Sequence, residues 1–410
     1  MRFRFLHAAD LHLDSPFEGL ASEDPRLREI LLDASLSALD ALVDRAIDER
    51  VLFVALAGDV YDGAERGIRA QLRLLEATRR LDQAGIWTFI AHGNHDPVER
   101  GWNAVREWPA KVVIFPGDRA STHRLTAADG TPVTVSGTSF PERRVLVGLH
   151  SRFEVPREPG FHVAVLHASV DGNGEHEPYS PCRLQDLVDL DFDAWLLGHI
   201  HKRQILRPMA PFVAYPGNLQ GRSFKPSEQG PKGALLVEVE GREVRARLLE
   251  LGPVRFEAFE QPVTDADGVD TLVDALVELV RVRLGGAQKL VARARVSGVC
   301  GELYRSLSER DPAELERALR DRLRALPVHW DGFEFDVRPP IDRAALRERG
   351  DLAGALLGEL ERWHQNPVAL QGLLLFEAGT KELAGRPAAE LAELAEQAAD
   401  LALGLLEGEA

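Results

Sequence analysis

The stretch FRFLHAADLH, residues 3–12, runs an apolar strand directly into an acid and an imidazole, Asp10 and His12. Residues two apart in an extended chain point to the same side, so this spacing places both side chains together at the strand's carboxyl end. One such pair is a weak signal, because the ends of strands commonly carry solvated polar groups. The rest of the chain decides whether Asp10 and His12 belong to a site.

Four later apolar stretches also end in side chains that can bind a metal ion. These are VLFVALAGDVYD (51–62, with Asp59 and Asp62), IWTFIAHGNHD (86–96, with Asn94, His95 and Asp96), FHVAVLHAS (161–169, with His167) and AWLLGHIH (194–201, with His199 and His201). Helical stretches separate the first three strands, which indicates parallel pairing with right-handed crossovers. Groups at the carboxyl ends of parallel strands gather at one edge of a sheet, so the sequence predicts a single site.

The order of elements predicts an α/β sandwich for residues 1–252. Strands and amphipathic helices alternate at first and mostly strands follow, which favours a second sheet packed on the first. Residues 253–340 are predicted to form a small α/β capping module, and residues 341–410 a helical region. In PAAELAELAEQAADLALGLLEGEA (387–410) an apolar stripe, with Leu391, Leu394, Ala395, Ala398, Leu401 and Leu405, predicts a helix that packs on its own domain or docks on a partner.

Composition limits the class of protein. Of the 410 residues 45% are apolar and 28% charged, as in globular proteins, and no stretch is long and apolar enough to span a membrane. Two widely separated cysteines and the absence of signal-peptide features fit a cytoplasmic protein without a disulfide scaffold. The net charge of −16 argues against unspecific coating of nucleic acid, although residues 202–232 hold six bases and one acid.

The candidate side chains combine carboxylate, imidazole and amide groups without a thiolate. Such a set suits manganese, iron or zinc better than magnesium. The ligands are too many for one ion, so we expect two divalent ions, manganese preferred, with Asp59 as their shared ligand. Paired ions about 3.5–4 Å apart are typical of enzymes that hydrolyse phosphoesters.

The ordered motifs DxH, GDxxD, GNHD, H and GHxH resemble the calcineurin-like metallophosphoesterases, whose fold is an α/β/β/α sandwich. Within that family the chain resembles the SbcD-type DNA repair exonuclease subunits and the bacterial YhaO-like branch, through ADLHLDSPF, HEPYSPCRLQDL, GHIHKRQIL and YPGNLQGRSF. The resemblance covers about residues 1–250. It implies an exonuclease or endonuclease in DNA repair that is the nuclease subunit of a complex with an SMC-like coiled-coil ATPase.

The resemblance also implies roles for individual residues. One ion would be held by Asp10, His12, Asp59 and His201, and the other by Asp59, Asn94, His167 and His199. His95 would act on the reacting phosphate, Asp96 would orient its ring, and Asp62 would lie behind the ligands. In the basic stretch, the residues expected to contact DNA phosphates are Lys202, Arg222 and Lys225.

Two other functions stay open on the sequence alone. The same metal core could serve a phosphodiesterase or phosphatase for small nucleotides, or the chain could be a non-catalytic subunit that binds DNA ends. The basic stretch and the additional domain favour DNA as substrate, and the complete ligand set argues against a decayed site. The expected partners are DNA, an SMC-like ATPase and a second copy of the chain in a homodimer, with no membrane involved.

Overall fold

The computed structural model describes all residues except 16–24, 64–66, 99–103, 173–178, 266–267, 286, 310–311, 377–382 and 409–410. Its strands are β1 (Arg2–Ala8), β2 (Phe53–Ala57), β3 (Trp87–Ala91), β4 (Val112–Ile114), β5 (Ser121–Thr126), β6 (Pro132–Gly137), β7 (Phe161–His167), β8 (Ala194–Gly198), β9 (Gln204–Arg207), β10 (Phe212–Tyr215), β11 (Gly233–Glu240), β12 (Glu243–Glu250), β13 (Val254–Val263), β14 (Lys289–Val299) and β15 (Val328–Arg338). Its α-helices are α1 (Pro25–Asp48), α2 (Ile68–Gln83), α3 (Leu184–Val188), α4 (Val269–Leu284), α5 (Gly301–Glu309), α6 (Pro312–Leu323), α7 (Arg343–Glu348), α8 (Leu352–Gln365), α9 (Pro367–Phe376) and α10 (Ala388–Gly408).

Two six-stranded sheets dominate the first of two compact units, which comprises residues 1–257, 284–291 and 327–331. The first sheet has the order β12-β11-β1-β2-β3-β4, with β1 to β4 parallel. The second has the order β5-β6-β7-β8-β10-β9, with β6, β7, β8 and β10 parallel. The carboxyl ends of β1, β2 and β3 therefore share one edge of their sheet, as do those of β7 and β8 in the other.

Alternating side chains in the central strands build the layers. Phe5 and Phe53, whose rings stack 4.6 Å apart, belong to a buried cluster that includes Phe161 of the second sheet. The neighbouring Leu6 and Val54 point to the opposite face and pack with residues of α1 and α2. Because a strand presents successive side chains to opposite faces, the apolar runs fill two cores at once. The predicted α/β/β/α sandwich is confirmed.

The second compact unit comprises residues 258–283, 292–326 and 332–410, and the sheet β13-β14-β15 contributes residues to both units. On α10 the buried stripe is Leu391, Ala395, Ala399 and Leu403, which packs with residues of α7, α8 and α9. This apolar face is therefore covered within its own unit. Of the predicted stripe, Leu391 and Ala395 are buried, Leu394 is half-buried and Ala398 is exposed, while the side chains of Leu401 and Leu405 lie outside the described residues.

The predicted domain limits at residues 252 and 340 stay predictions. Residues 253–340 are divided between the two units, and the limit at 340 falls inside the second one. Across the described part of the chain, none of the helices combines the length and apolarity needed to cross a membrane.

Candidate metal centre

The segments that follow β1 and β2 run side by side beyond the edge of the first sheet. The backbone N–H of Asp10 donates to the carbonyl of Gly58 at 3.0 Å, and that of His12 donates to the carbonyl of Asp59, also at 3.0 Å. Asp10, His12 and Asp59 all have left-handed backbones, with φ of 50°, 43° and 49°. Non-glycine residues seldom adopt such angles, and those that do concentrate at functional sites.

The glycines in these segments make room for the side chains of the cluster. A Cβ atom on Gly58 would lie 2.1 Å from Nδ1 of His167, and one on Gly93 would lie 2.2 Å from Oδ1 of Asp59. Gly58 also has a φ of 95°, which a larger residue rarely adopts. Any side chain at positions 58 or 93 would displace the polar groups gathered here.

Asp10, His12 and His201 form the first cluster, called here the His201 group; their candidate ligand atoms all lie within 4.8 Å of one another. Nε2 of His12 and Nε2 of His201 face each other at 3.2 Å. Burial and the charge of Arg222 hold the pKa of His12 well below its usual value, so the ring is neutral near neutral pH. Neutral imidazole is the form that binds metal ions.

His167, Asp59 and Asn94 form the second cluster, called here the His167 group. Nδ1 of His167 lies 2.9 Å from the carbonyl oxygen of Ala57, which makes Nδ1 the donor. Nε2 of the same ring faces Oδ1 of Asn94 at 3.0 Å and Oδ2 of Asp59 at 3.4 Å. Three atoms able to bind one cation therefore converge in a buried position.

The charges of the His167 group depend on one another. Burial opposes a charge on His167, but the charge and hydrogen bond of Asp59 outweigh it and raise the pKa of His167 to about 9. Burial raises the pKa of Asp10, which is close to both groups, to about 6. A proton on His167 offsets the charge of the buried carboxylates, and a divalent cation at this position would do the same.

His199 lies beside the His167 group. Its backbone N–H donates to both carboxylate oxygens of Asp10, at 3.0 and 3.1 Å. Its ring centre is 5.3 Å from that of His167 and 5.7 Å from that of Tyr179. The structure thus brings all seven predicted ligands to one place, while their assignment to particular ions stays a prediction.

The ring of His95 contacts Asp62 and lies edge-on to the ring of His12, with 5.0 Å between the two ring centres. Nδ1 of His95 lies 2.7 Å from Oδ1 of Asp62, whose Oδ2 accepts a hydrogen bond from Nη1 of Arg222 at 2.8 Å. The hydrogen bond with Asp62 raises the pKa of His95 and favours its cationic form. Asp62, His95 and His12 could also form a cation site by proximity, but Arg222 already supplies a positive charge there.

Asp96 has a different position from the one expected. It accepts hydrogen bonds from the backbone N–H groups of Val60, Tyr61 and Gly93, and it lies 2.8 Å from Nδ1 of His92. The expectation that Asp96 orients the His95 ring is corrected, because Asp62 makes that contact. Adjacent residues of a tight turn point in different directions, so Asp96 instead joins the segments that carry Asp59 and Asn94.

Glu228 is a functional candidate that the sequence analysis missed. Its Oε1 lies 2.5 Å from Nδ1 of His201, and its Oε2 accepts hydrogen bonds from Nδ2 of Asn218 and the backbone N–H of Arg222. Burial opposes ionisation of Glu228, but the hydrogen bond and charge of His201 outweigh it and lower its pKa to about 2. The only signal in the sequence was that Glu228 is the single acid among six bases.

The basic stretch is less exposed than its composition suggests. Arg222 pairs with Asp62, and Lys232 is buried, with Nζ bonded to the carbonyls of His201 and Ser227. Lys202 and Lys225 are exposed. Of the three residues expected to contact DNA, two lie at the surface and the third reaches into the centre.

The donor set fits a two-metal centre, because it offers two groups of oxygen and imidazole nitrogen atoms without thiolate. Residues 3–203 match the family described as calcineurin-like phosphoesterase. With their sandwich fold and their strand-end Asp and His residues, residues 3–203 belong to the calcineurin-like metallophosphoesterases.

Individual proteins are also similar to this chain in sequence or in structure. The chain is 35% identical over 268 residues to the uncharacterized metallophosphoesterase YhaO of Bacillus subtilis, in an alignment that covers 65% of this chain and 65% of that relative's length. It is 27% identical over 370 residues to the DNA double-strand break repair protein Mre11 of Haloferax volcanii, covering 81% of this chain and 76% of the other. A dimetal phosphatase from Danio rerio aligns with a TM-score of 0.34 at 13% identity, over 60% of this chain and 98% of that one.

Proposed function

We propose that this protein is a metal-dependent phosphodiester hydrolase that cleaves DNA, as an exonuclease or endonuclease in DNA repair. The observation that carries the proposal is the His201 group and the His167 group, which meet at the edge of the sandwich, where Asp10 also lies close to Asp59 and His167. The Haloferax relative is named a DNA double-strand break repair protein, which supports DNA as the substrate. The resemblance of the sequence motifs to the SbcD-type exonuclease subunits supports an SMC-like coiled-coil ATPase as partner.

The seven candidate ligands divide between two positions. We assign Asp10, His12, Asp59 and His201 to one ion, and Asp59, Asn94, His167 and His199 to the other. When bound, two divalent ions, manganese preferred with iron or zinc as alternatives, would supply Lewis-acid polarisation of the phosphoryl group and a nucleophile at neutral pH. His12 needs no deprotonation for this role, whereas His167 must lose a proton.

His95 is the proposed proton donor to the departing oxygen. Asp62 holds Nδ1 of His95 and favours the imidazolium, which leaves Nε2 as the nitrogen that can reach a substrate. The backbone N–H of His95 donates to Oδ1 of Asp59 at 2.9 Å, so its main chain is tied to a proposed ligand while its ring is held by Asp62. Correctly placed general acids contribute about 10²–10⁴ to a rate.

Lys202 and Lys225 are the proposed surface contacts to DNA phosphates, and Arg222 is the inner one. Lys202 follows His201 directly, so its position is tied to the centre. Arg222 presents a guanidinium beside Asp62 and His95, where a phosphate next to the reacting one would meet a cation.

The proposal is tested by assaying the purified chain with Mn²⁺ on linear duplex, plasmid, single-stranded and hairpin DNA, beside bis(p-nitrophenyl) phosphate. We expect Mn²⁺-dependent DNA cleavage that disappears in His95→Ala. Hydrolysis of the small diester alone would contradict the proposal in favour of a small-nucleotide phosphodiesterase. Binding of DNA ends without any hydrolysis would favour a non-catalytic subunit. The partner is tested by co-expression with an SMC-like ATPase and by the effect of ATP on cleavage.

A further inference from the structure

Glu228 lies inside the segment that joins β10 to β11, and its carboxylate is buried with only 5% of the residue exposed. One oxygen contacts His201 at 2.5 Å, and the other accepts hydrogen bonds from Asn218 at 2.7 Å and from the backbone of Arg222 at 2.9 Å. A buried carboxylate is costly unless it is satisfied in this way. None of the roles proposed above for the centre uses this group.

The contact with Glu228 decides which nitrogen of His201 can bind an ion. A carboxylate only accepts hydrogen bonds, so Nδ1 of His201 must carry the proton, and the lone pair then lies on Nε2. Nε2 is the atom that faces Nε2 of His12 at 3.2 Å. Partners of this kind fix the tautomer and direction of metal-binding histidines and raise their basicity.

The second oxygen of Glu228 connects it, through Arg222, to Asp62 and His95. It holds the backbone of Arg222, whose guanidinium pairs with Asp62, and Asp62 contacts the ring of His95. One carboxylate therefore links His201 to the chain segment that supplies Arg222. Gly221 beside it has no room for a side chain, since a Cβ there would lie 2.2 Å from the carbonyl oxygen of Glu228.

We infer that Glu228 is a positioning residue that fixes the metal-binding tautomer of His201 and sets the place of Arg222. The inference rests on the proposed function only in assuming that His201 binds an ion. It concerns the His201 group and leaves the His167 group unaffected, because His167 takes its orientation from the carbonyl of Ala57.

The variant Glu228→Gln tests this inference with little change in shape. A glutamine oxygen can still accept from Arg222 and Asn218, but its amide then turns N–H groups toward Nδ1 of His201. The ring must respond by protonating Nε2, which removes the ligand atom. We expect Mn²⁺ titration of the full chain to show one of two sites weakened by about 10–100-fold, the usual cost of losing such a partner.

The decisive comparison is a double-mutant cycle with His201→Ala. If Glu228 acts through His201, then Glu228→Gln should change Mn²⁺ affinity no further once His201 is gone. Equal losses in both backgrounds, or unchanged affinity in Glu228→Gln, would overturn the inference. Glu250→Gln is the matched control, because it removes a partly buried carboxylate that pairs with Arg255 away from the centre.

A measurement on the unaltered chain covers the case in which Glu228→Gln fails to fold. Nitrogen NMR shifts of His201 in the Zn²⁺-loaded protein report which ring nitrogen carries the proton. A proton on Nδ1 supports the inference and a proton on Nε2 overturns it. If the chain binds ions but does not cleave DNA, the proposed function fails while these results still decide the role of Glu228.

Discussion

His167 and His201 lie in the same centre but are oriented by different kinds of structure. His167 ends β7 of the second sheet and donates to the carbonyl of Ala57, the last residue of β2 in the first sheet. His201 follows β8 and contacts the side chain of Glu228, which lies in the segment between β10 and β11. The first ring is held by the main chain of the sandwich and the second by a single replaceable side chain.

The contact that orients His167 therefore follows from the fold, whereas the contact that orients His201 depends on the identity of one residue. No substitution removes the carbonyl of Ala57, so the orientation of His167 persists as long as the two sheets pack. The orientation of His201 depends on one carboxylate and on the segment that carries it. We therefore expect the two groups to respond differently to mutation and to pH.

Asp59→Asn should have the largest effect. Asp59 is the predicted ligand of both ions, so its loss should weaken metal binding at both groups. We expect calorimetric titration to show that both Mn²⁺ ions are lost and that hydrolysis falls to background. Asn94→Ala and His12→Ala are the matched controls, and each should weaken mainly one site. If Asp59→Asn binds two ions normally while Asp10→Asn loses both, the shared ligand is Asp10, which is close to both groups.

His95→Ala should have the next largest effect and should spare both groups. We expect kcat to fall by about 10²–10⁴ because a general acid is removed, while both ions stay bound. Metal analysis of the purified variant, together with its rate, checks this. Loss of an ion along with activity would make His95 a ligand. Asp62→Asn should give a smaller loss and move the alkaline side of the pH profile to lower pH, since the contact with Asp62 raises the pKa of His95 and the general acid must be protonated.

Metal binding at the His167 group and at the His201 group should depend differently on pH. The pKa of His167 is raised to about 9 in the metal-free protein, so near neutral pH binding must displace its proton. Apparent affinity at the His167 group should therefore rise about tenfold per pH unit up to about pH 9. At the His201 group, the proton on Asp10 should weaken binding only below about pH 6. Calorimetry in buffers of different ionisation enthalpy counts the released protons, and a value near zero at neutral pH would contradict the expectation.

The smallest effect should come from Lys202→Ala and Lys225→Ala, which lie outside both groups. Each substitution that removes one interaction with a duplex phosphate should reduce the log–log salt slope of DNA binding by about 0.9. Hydrolysis of bis(p-nitrophenyl) phosphate should stay unchanged. Lys111→Ala is the control. Lys111 directly precedes β4 and lies over the ring of Trp87, and its removal should leave the salt slope unchanged. Equal reductions on DNA and on the small diester would indicate damage to the centre.

The fold and the assembly of the centre could be predicted because both follow from short-range patterns. Apolar strands that end in Asp, Asn or His residues indicate that these side chains share one edge of a sheet. All seven predicted ligands lie there in the structure. The alternation of Phe and aliphatic residues in β1 and β2 likewise follows from the two-residue period of a strand. These features need no knowledge of distant contacts.

The contacts behind the ligands could not be predicted in the same way. Asp96 follows His95 in the sequence and was expected to support it, yet Asp62, from another strand end, makes the contact. Glu228 reaches His201 across 27 residues of chain, and Arg222 reaches Asp62 across 160. Such pairs depend on how loops close over the sheet edge, and one sequence gives no periodic signal for that.

The left-handed backbones at Asp10, His12 and Asp59 restrict which residue types can occupy these three positions. Among residues with a side chain, Asp, Asn and His enter that conformation most readily, whereas β-branched residues are strongly disfavoured. The same three residue types are good metal ligands, so backbone geometry and coordination chemistry select for the same residues. At these three positions, few substitutions therefore keep both the backbone conformation and a ligand atom.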